Sequence, residues 1–398
     1  MEREERLPEV SRRVREVPPY LFAEIDRARD EAIARGIDVI SLGIGDPDQP
    51  TPAFVIEAMA EEIAKAENHT YSPYWGTDRF RQAVAGYMKG RFGVELDPGK
   101  EVIALIGAKE GLGHLPLALL DPGDLALIPD PAYPVYENAS RYAGAATISV
   151  PLLEENGFLP DLSALPESVL RTAKVIFLNY PNNPTGALAP LSFLEELVEL
   201  AHRFGFYIVS DNPYAEIYFD EEHPPHSILE VEGAREVAIE LHSFSKTFNM
   251  TGWRIGWACG AERLVAALGS IKSNMDSGPF KAIQHAVVRA LSHPQCGDFI
   301  RSQRELMRKR LSLLKEGLSR LGLRWCEPGG AFYLWVHLPE GYQSSIKFCS
   351  EVLNRAGLVF GPGRGYGVYG EGYFRICLTT PEEKIAQAME RLAGFLAS

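Results

Sequence analysis

Lys246 stands in the run SFSKTFNMTGWRIGW (243–257), directly behind the apolar stretch VAIELH and the hydroxyls of Ser243 and Ser245. Other polar groups hold the same kind of position, just past a short apolar run. Ala108 and Lys109 follow VIALIG with a helical pattern opening behind them, Tyr133 follows LALIPDP, Asn183 follows VIFLNY, and Asp211 and Tyr214 lie in DNPY after FYIVS. Taken singly, each has a plainer reading: a lysine in a solvated turn, an aspartate capping a helix, a tyrosine packed between prolines. Taken together they are chemically specific. A helix N-terminus favours phosphate through its free N–H groups and the positive end of its dipole. An amine beside such a site holds an aldehyde as a Schiff base, so the set suggests a phosphorylated aldehyde cofactor.

The elements that must position these groups alternate between about residues 100 and 260, short apolar runs with helical patterns. In the clearest unit, 174–180 reads as a strand, 181–186 as a turn, Ser192 with Glu195 as a helix cap, and Gly205 as the stop before a strand over 206–210. That is a βαβ crossover, and a series of them predicts an α/β fold with a mostly parallel doubly wound sheet. Ligands in such sheets sit at the carboxyl ends of the strands, where the groups above fall. A charged amphipathic helix over 21–35 and, from about 300, helices mixed with AFYLWV, LVFGP and YFRICL predict a smaller α+β unit. The expected division is a large domain over 50–290 and a discontinuous small domain over 1–49 and 291–398, with a crevice between them.

Composition excludes several classes. Forty Lys+Arg against 53 Asp+Glu leave a net charge of −13, and 46% hydrophobic residues over 398 suit a folded chain with a sizeable core. Five cysteines without a CxxC pair predict thiols and a cytoplasmic setting. The first 20 residues lack the pattern of a leader, and no apolar run is long enough to span a membrane. The cluster Arg301–Arg310 predicts the solvated face of a helix, not a nucleic-acid surface. GYGVYG (365–370) fits the dinucleotide fingerprint letter by letter, yet a strand follows it where a helix should, and HPPH (223–226) lacks further ligands, so neither a dinucleotide nor a metal is expected.

The run at 243–257, the NYPNNPTG turn (179–186) and DNPY (211–214) resemble fold-type I pyridoxal phosphate-dependent aminotransferases of class I/II, over nearly the whole chain. PPYLFAEIDRAR, SLGIGDPDQPTP, HTYSPYWG, GAKEG, PDPAYPVY, IKSNMDSG and FRICLT resemble, within them, the LL-diaminopimelate aminotransferase group of lysine biosynthesis. The resemblance implies pyridoxal 5′-phosphate bound covalently by Lys246, which also shuttles a proton. It implies Asp211 at the pyridine nitrogen, Asn183 and Tyr214 at the ring oxygen, and Tyr133 against the ring. Ala108, Lys109, Ser243, Ser245 and Arg254 would hold the phosphate, with Tyr71 reaching in from a second subunit of a homodimer. Arg375, Gly45, Asn274 and Tyr20 would contact small amino acid and 2-oxo acid substrates.

Two positions depart from that pattern. Family members commonly have Ser where this chain has Ala108, which predicts weaker cofactor retention. In the diaminopimelate group the loop after Tyr71 commonly presents a glutamate to the distal end of the substrate, whereas this chain reads Tyr74-Trp75-Gly76. Trp75 cannot supply a carboxylate, so alanine, glutamate or an aromatic amino acid stands as an alternative donor. A Cβ–S lyase on the same fold is a second alternative. A binding module without turnover is a third, against which stand the retained Lys246 and Arg375.

Overall fold

The computed structural model describes residues 9–17 and 20–398. Half of the stretch read for a leader, 1–8 with 18 and 19, lies outside the described residues. A short strand β1 (Ile40–Ser41) precedes seven strands that form one sheet: β2 (Val102–Leu105), β3 (Leu125–Asp130), β4 (Ala146–Pro151), β5 (Ala173–Leu178), β6 (Tyr207–Asp211), β7 (Ala238–Ser243) and β8 (Gly256–Gly260). Their spatial order is β2-β8-β7-β6-β5-β3-β4. Only β8 runs antiparallel to its neighbours, so the carboxyl ends of the other six share one edge.

The sheet is buried on both faces, and the apolar runs follow from that. Val102, Ala104, Ile176 and Leu178 join the core beneath helices Ala53–Ile63, Leu191–Phe204 and Lys281–Leu291. The alternating residues Ile103, Leu105, Val175 and Phe177 join the core beneath Ala108–Leu119 and Glu262–Met275. A strand with apolar residues in every position is what two covered faces require. The crossover from β5 to β6 runs through Leu191–Phe204 and ends at Gly205, whose φ of +82° is the left-handed turn that glycine adopts without strain. Its start corrects the expectation for Ser192: Pro190 is the N-cap residue. Proline's restricted φ leads the chain straight into the helix, which leaves Ser192 inside the first turn.

Beyond the large sheet, β9 (Trp325–Cys326), β10 (Tyr333–His337), β11 (Leu358–Val359), β12 (Gly361–Pro362) and β13 (Tyr373–Cys377) follow. Four of them pair antiparallel in the order β12-β13-β10-β9, while β11 pairs parallel with β1. Helices Cys296–Arg320, Ser345–Ala356 and Glu382–Leu396 share a core with this sheet. The helix Leu21–Ala34 sets Ile25 and Ala32 against Leu353 and Val359, so the N-terminal segment packs on the C-terminal elements.

The arginine cluster needs a correction. Arg301 and Lys309 are exposed as expected, but Arg304 and Arg310 are buried. Arg310 forms a fork to Asp48 at 2.7 and 2.8 Å and reaches Glu382 at 3.2 Å. Arginine is tolerated there because its planar fork finds carboxylates as its stem packs. Residues 365–370 form short turns whose Val368 and Tyr369 N–H groups donate to Asp130 at 3.0 Å, so this glycine-rich run cradles a side chain. His223 and His226 pair separately with Asp220 and Glu230.

Candidate active site

A cavity of about 310 Å³ opens at the shared carboxyl edge of the large sheet. The connections after successive strands feed it, since parallel strands end there together and their loops must converge. Asp211 ends β6, Ser243 ends β7, the helix Ala108–Leu119 starts just past β2, and Tyr133 and Asn183 follow β3 and β5. All of these line the cavity, as do Lys109, Tyr214, Ser245, Lys246 and Arg254, joined from the N-terminal segment by Tyr20 and Gly45.

Asp211 is 4% exposed, and its Oδ2 accepts the Tyr136 hydroxyl at 2.7 Å. Burial pushes its carboxyl up to about 7, against the pull of Tyr136. Its Oδ1 is buried with no partner among the described residues. A carboxylate oxygen left bare in a protein interior is costly, and a positively charged N–H facing it would remove that cost. Lys246 opens part of its surface to the cavity, but its amine is packed round by protein. It donates to the Gly45 carbonyl at 2.9 Å, and burial pulls it down to about 8, opposed by Asp46. Gly45 must be glycine for this approach, since a Cβ there would lie 2.4 Å from the Tyr333 hydroxyl.

The anion-binding corner lies between β2 and its helix. No side chain caps the N-terminus of Ala108–Leu119, so its first N–H groups remain for a ligand. The Ser243 hydroxyl accepts from the Ser245 N–H at 3.1 Å, while Ser245 Oγ is buried without a partner. Arg254 holds a left-handed backbone, φ +55°, an outlier for a residue with a side chain. Its guanidinium lies against Gly107, itself at φ +74°, where a Cβ would come 2.2 Å from Nη2. Gly107→Ala is therefore expected to displace the Arg254 guanidinium, and, if that guanidinium holds phosphate as the sequence resemblance implies, to loosen it. Loss of one charge-assisted bond at about 1.5–3 kcal/mol weakens retention roughly 10- to 100-fold. Equilibrium dialysis with pyridoxal phosphate measures it, and unchanged affinity would refute the role of this contact.

Aromatic groups close the cavity. The hydroxyls of Tyr20 and Tyr133 lie 3.0 Å apart, those of Tyr214 and Tyr333 2.8 Å apart, and Lys109 sits 4.2 Å over the Tyr20 ring. Arg375 stands behind this wall. It is fully buried, donates to Asn183 Oδ1 at 2.6 Å and to the Gly43 carbonyl at 2.7 Å, and lies 4.1 Å over the Tyr333 ring. Its Nε is buried without a partner, so one donor of the fork is unused.

Two expected contacts lie elsewhere. Tyr71 is 93% exposed and outside the cavity. Asn274 is exposed on Glu262–Met275 and donates its amide to the Ser270 carbonyl at 2.8 Å, so within one chain it does not reach the cavity. Trp75 folds onto its own chain, its ring 2.8 Å from where a Cβ on Gly269 would stand. Sequence reading missed Tyr136 and Tyr333. Tyr136 had a signal, lying just past Tyr133 in the first turn of the helix Val135–Tyr142 that opens behind β3. Tyr333 had none beyond its strand pattern, because only the packing of β10 beside the large sheet's edge brings it in.

Comparison with known proteins places these groups in context. Residues 37–392 match the family model "Aminotransferase class I and II". The chain is 51% identical to the LL-diaminopimelate aminotransferase of Aquifex aeolicus over 97% of this chain and 99% of that one. It is 52% identical to the same-named enzyme of Nitratidesulfovibrio vulgaris over 96% of this chain and 97% of that one. Among solved structures it is similar to the substrate-bound BacF of Bacillus subtilis, with a TM-score of 0.94, 33% identity and 98% of each chain covered. A probable N-succinyldiaminopimelate aminotransferase of Thermus thermophilus gives a TM-score of 0.88 at 38% identity, over 94% of this chain and 100% of that one.

Proposed function

The chain belongs to the class I and II aminotransferase family, and from that premise we propose that it transfers the amino group of LL-diaminopimelate to 2-oxoglutarate, with pyridoxal 5′-phosphate in the cavity. The observation that carries the cofactor reading is the bare, buried Oδ1 of Asp211 in the same cavity as a lysine amine that burial draws down to about 8. When bound, the cofactor supplies an electrophilic carbon for an amine and a ring that draws electrons from the carbon bearing the substrate's amino group. Asp211 would hold negative charge for the ring N–H, Asn183 and Tyr214 would serve the ring oxygen, and Tyr133 would pack against the ring. The N–H groups at Ala108 and Lys109, the hydroxyls of Ser243 and Ser245, and Arg254 hold the phosphate. Lys246, as a neutral amine, would take the proton from the donor's Cα on its Nζ and give it up to the cofactor's aldehyde-derived carbon on the far side of the nitrogen. Arg375, with one donor of its fork unused, would take the substrate's carboxylate once the aromatic wall over it shifts, with Tyr20 and Gly45 at the substrate side.

The large domain over 50–290 and the small domain over 1–49 and 291–398 are read as closing on this cavity. A homodimer with shared sites accounts for Tyr71 and Asn274, both exposed and turned away from their own cavity, as residues given to a partner would be. All five cysteines are free thiols, which suits the cytoplasm, and among the described residues no helix is long and apolar enough to cross a membrane.

The substrate is tested by mixing cofactor-loaded protein with LL-diaminopimelate and no oxo acid. The expected result is loss of the near-visible cofactor band with one equivalent of oxo acid formed. Response only to glutamate, alanine or an aromatic donor overturns this donor and keeps the family. Pyruvate and ammonia from cystathionine would favour the lyase.

The lowered amine of Lys246 sets a pH dependence. Below about 8 the neutral fraction falls, so the rate at which cofactor-free protein captures pyridoxal phosphate is expected to drop about tenfold per pH unit, levelling above 8. Stopped-flow absorbance measures it, and a rate that keeps climbing about tenfold per unit from pH 8 to 10 would count against a depressed amine.

A further inference from the structure

Away from the cavity, three side chains of different elements converge at the seam between the two sheets. Cys326 lies on β9 and His337 on β10. His337 N–H donates to the Arg324 carbonyl, and Cys326 stands two residues beyond Arg324, so Cys326 and His337 are diagonal neighbours on one sheet face. Glu154 comes from the turn Glu154–Asn156 just past β4 of the large sheet. Cys326 Sγ is 3.9 Å from His337 Nε2, which is 3.2 Å from Glu154 Oε2, and the three atoms all lie within 4.8 Å of one another.

We propose that Glu154, Cys326 and His337 form a binding site for a divalent cation of the zinc class, with water completing a four-coordinate shell. Bonds of about 2.3 Å to sulfur and about 2.0 Å to nitrogen or oxygen set tetrahedral ligand pairs about 3.3–3.6 Å apart, so the Cys326–His337 and His337–Glu154 spacings of 3.9 and 3.2 Å need shifts of only a few tenths of an ångström. A thiol, an imidazole and a carboxylate are the ligand types that favour this class over magnesium or calcium. The carboxylate is oriented from behind: Tyr373, paired with His337 across β10 and β13, donates its hydroxyl to Glu154 Oε2 at 3.1 Å. Cys326 is buried, whereas His337 is partly open and Glu154 exposed, which leaves an entry path.

A second group, Glu110, His114 and Asp276, has comparable spacing but already holds a fixed cation. Lys272 Nζ lies 2.9 Å from Glu110 and 3.0 Å from Asp276. At Glu154 the only ion-pair partner among the described residues is His337. Burial first, and then Glu154, hold the Cys326 thiol protonated, while exposed Arg324 favours the thiolate. Binding therefore releases the thiol proton to solvent as the sulfur–metal bond forms, and hydration waters leave the metal. His337 gives a lone pair at Nε2. Affinity must rise with pH.

The test is titration of Co²⁺ into chelator-treated holoenzyme, read by the intense visible d–d bands of four-coordinate cobalt at wavelengths longer than the cofactor's absorbance. Saturation at one equivalent, displacement by Zn²⁺ and loss of the bands in Cys326→Ser are expected. Glu154→Gln and Tyr373→Phe, which leave the sheet's packing in place, should each weaken binding about tenfold or more. Cys296→Ser, at a partly buried thiol outside the cluster, should change nothing. Weak six-coordinate spectra, bands that persist in Cys326→Ser, or bands lost in Cys296→Ser would each overturn the site. None of these readouts needs turnover.

Discussion

Lys246→Ala is expected to lower kcat/KM by at least about 10⁴-fold, because one side chain supplies both the covalent hold on the cofactor and the moving proton. The amine is the one group in the cavity placed and tuned for both tasks. It donates to the Gly45 carbonyl at 2.9 Å and is drawn toward neutrality by burial. Fold should survive, since the alanine deletes a side chain that already faces the cavity. Circular dichroism and thermal unfolding check that, while steady-state rates with LL-diaminopimelate check the loss. The variant should also lack the near-visible band that loaded protein carries. Turnover at the parent rate would remove Lys246 from the chemistry altogether.

Asp211→Asn is expected to cost about 10²–10³ in kcat, the range seen when one preorganised electrostatic partner is removed from a developing charge. Asparagine keeps the shape, and its carbonyl can still accept from Tyr136, but it carries no negative charge for the ring N–H. A structural role predicts a different outcome, and linkage separates the two. The folded-state value of Asp211, about 7, lies above its ordinary value of 3.8. The native state therefore binds more protons than the unfolded chain between roughly pH 4 and 7, and cofactor-free protein loses stability as pH rises through that window. Asp211→Asn should flatten this dependence and leave the neutral-pH melting temperature unchanged or higher, even as kcat falls. A variant that melts earlier at pH 7.5 and retains kcat would mark Asp211 as a packing residue.

Much of the cavity is legible in the residues alone, and for a physical reason. Parallel strands buried on both faces write themselves as short apolar runs, and their carboxyl ends must share an edge, so Ala108, Tyr133, Asn183, Asp211, Ser243 and Lys246 are bound to meet. Local chemistry marks each of them: a strand, a turn, a polar group. Tyr136 is within reach of the same reasoning, three residues past Tyr133, and its bond to Asp211 sets the carboxylate.

The rest depends on how distant segments stack. Arg375 reads locally as a strand residue between Phe374 and Ile376, and nothing in that pattern says that its guanidinium lies buried against Asn183, Gly43 and Tyr333. Arg304 and Arg310 read as a solvated stripe because charge predicts water unless a carboxylate waits elsewhere in the chain, and Asp48 does, 262 residues away. Trp75 reads in its motif as a residue that cannot supply a carboxylate, and nothing in that motif says that its ring packs over Gly269 of its own chain. By itself the sequence determined the strand ends and the reactive groups on them, because periodicity and turn chemistry are local. Only the tertiary structure decided which charges are buried, which oxygens are left bare and which aromatic rings close the cavity, because those depend on desolvation by residues that are neighbours in space alone.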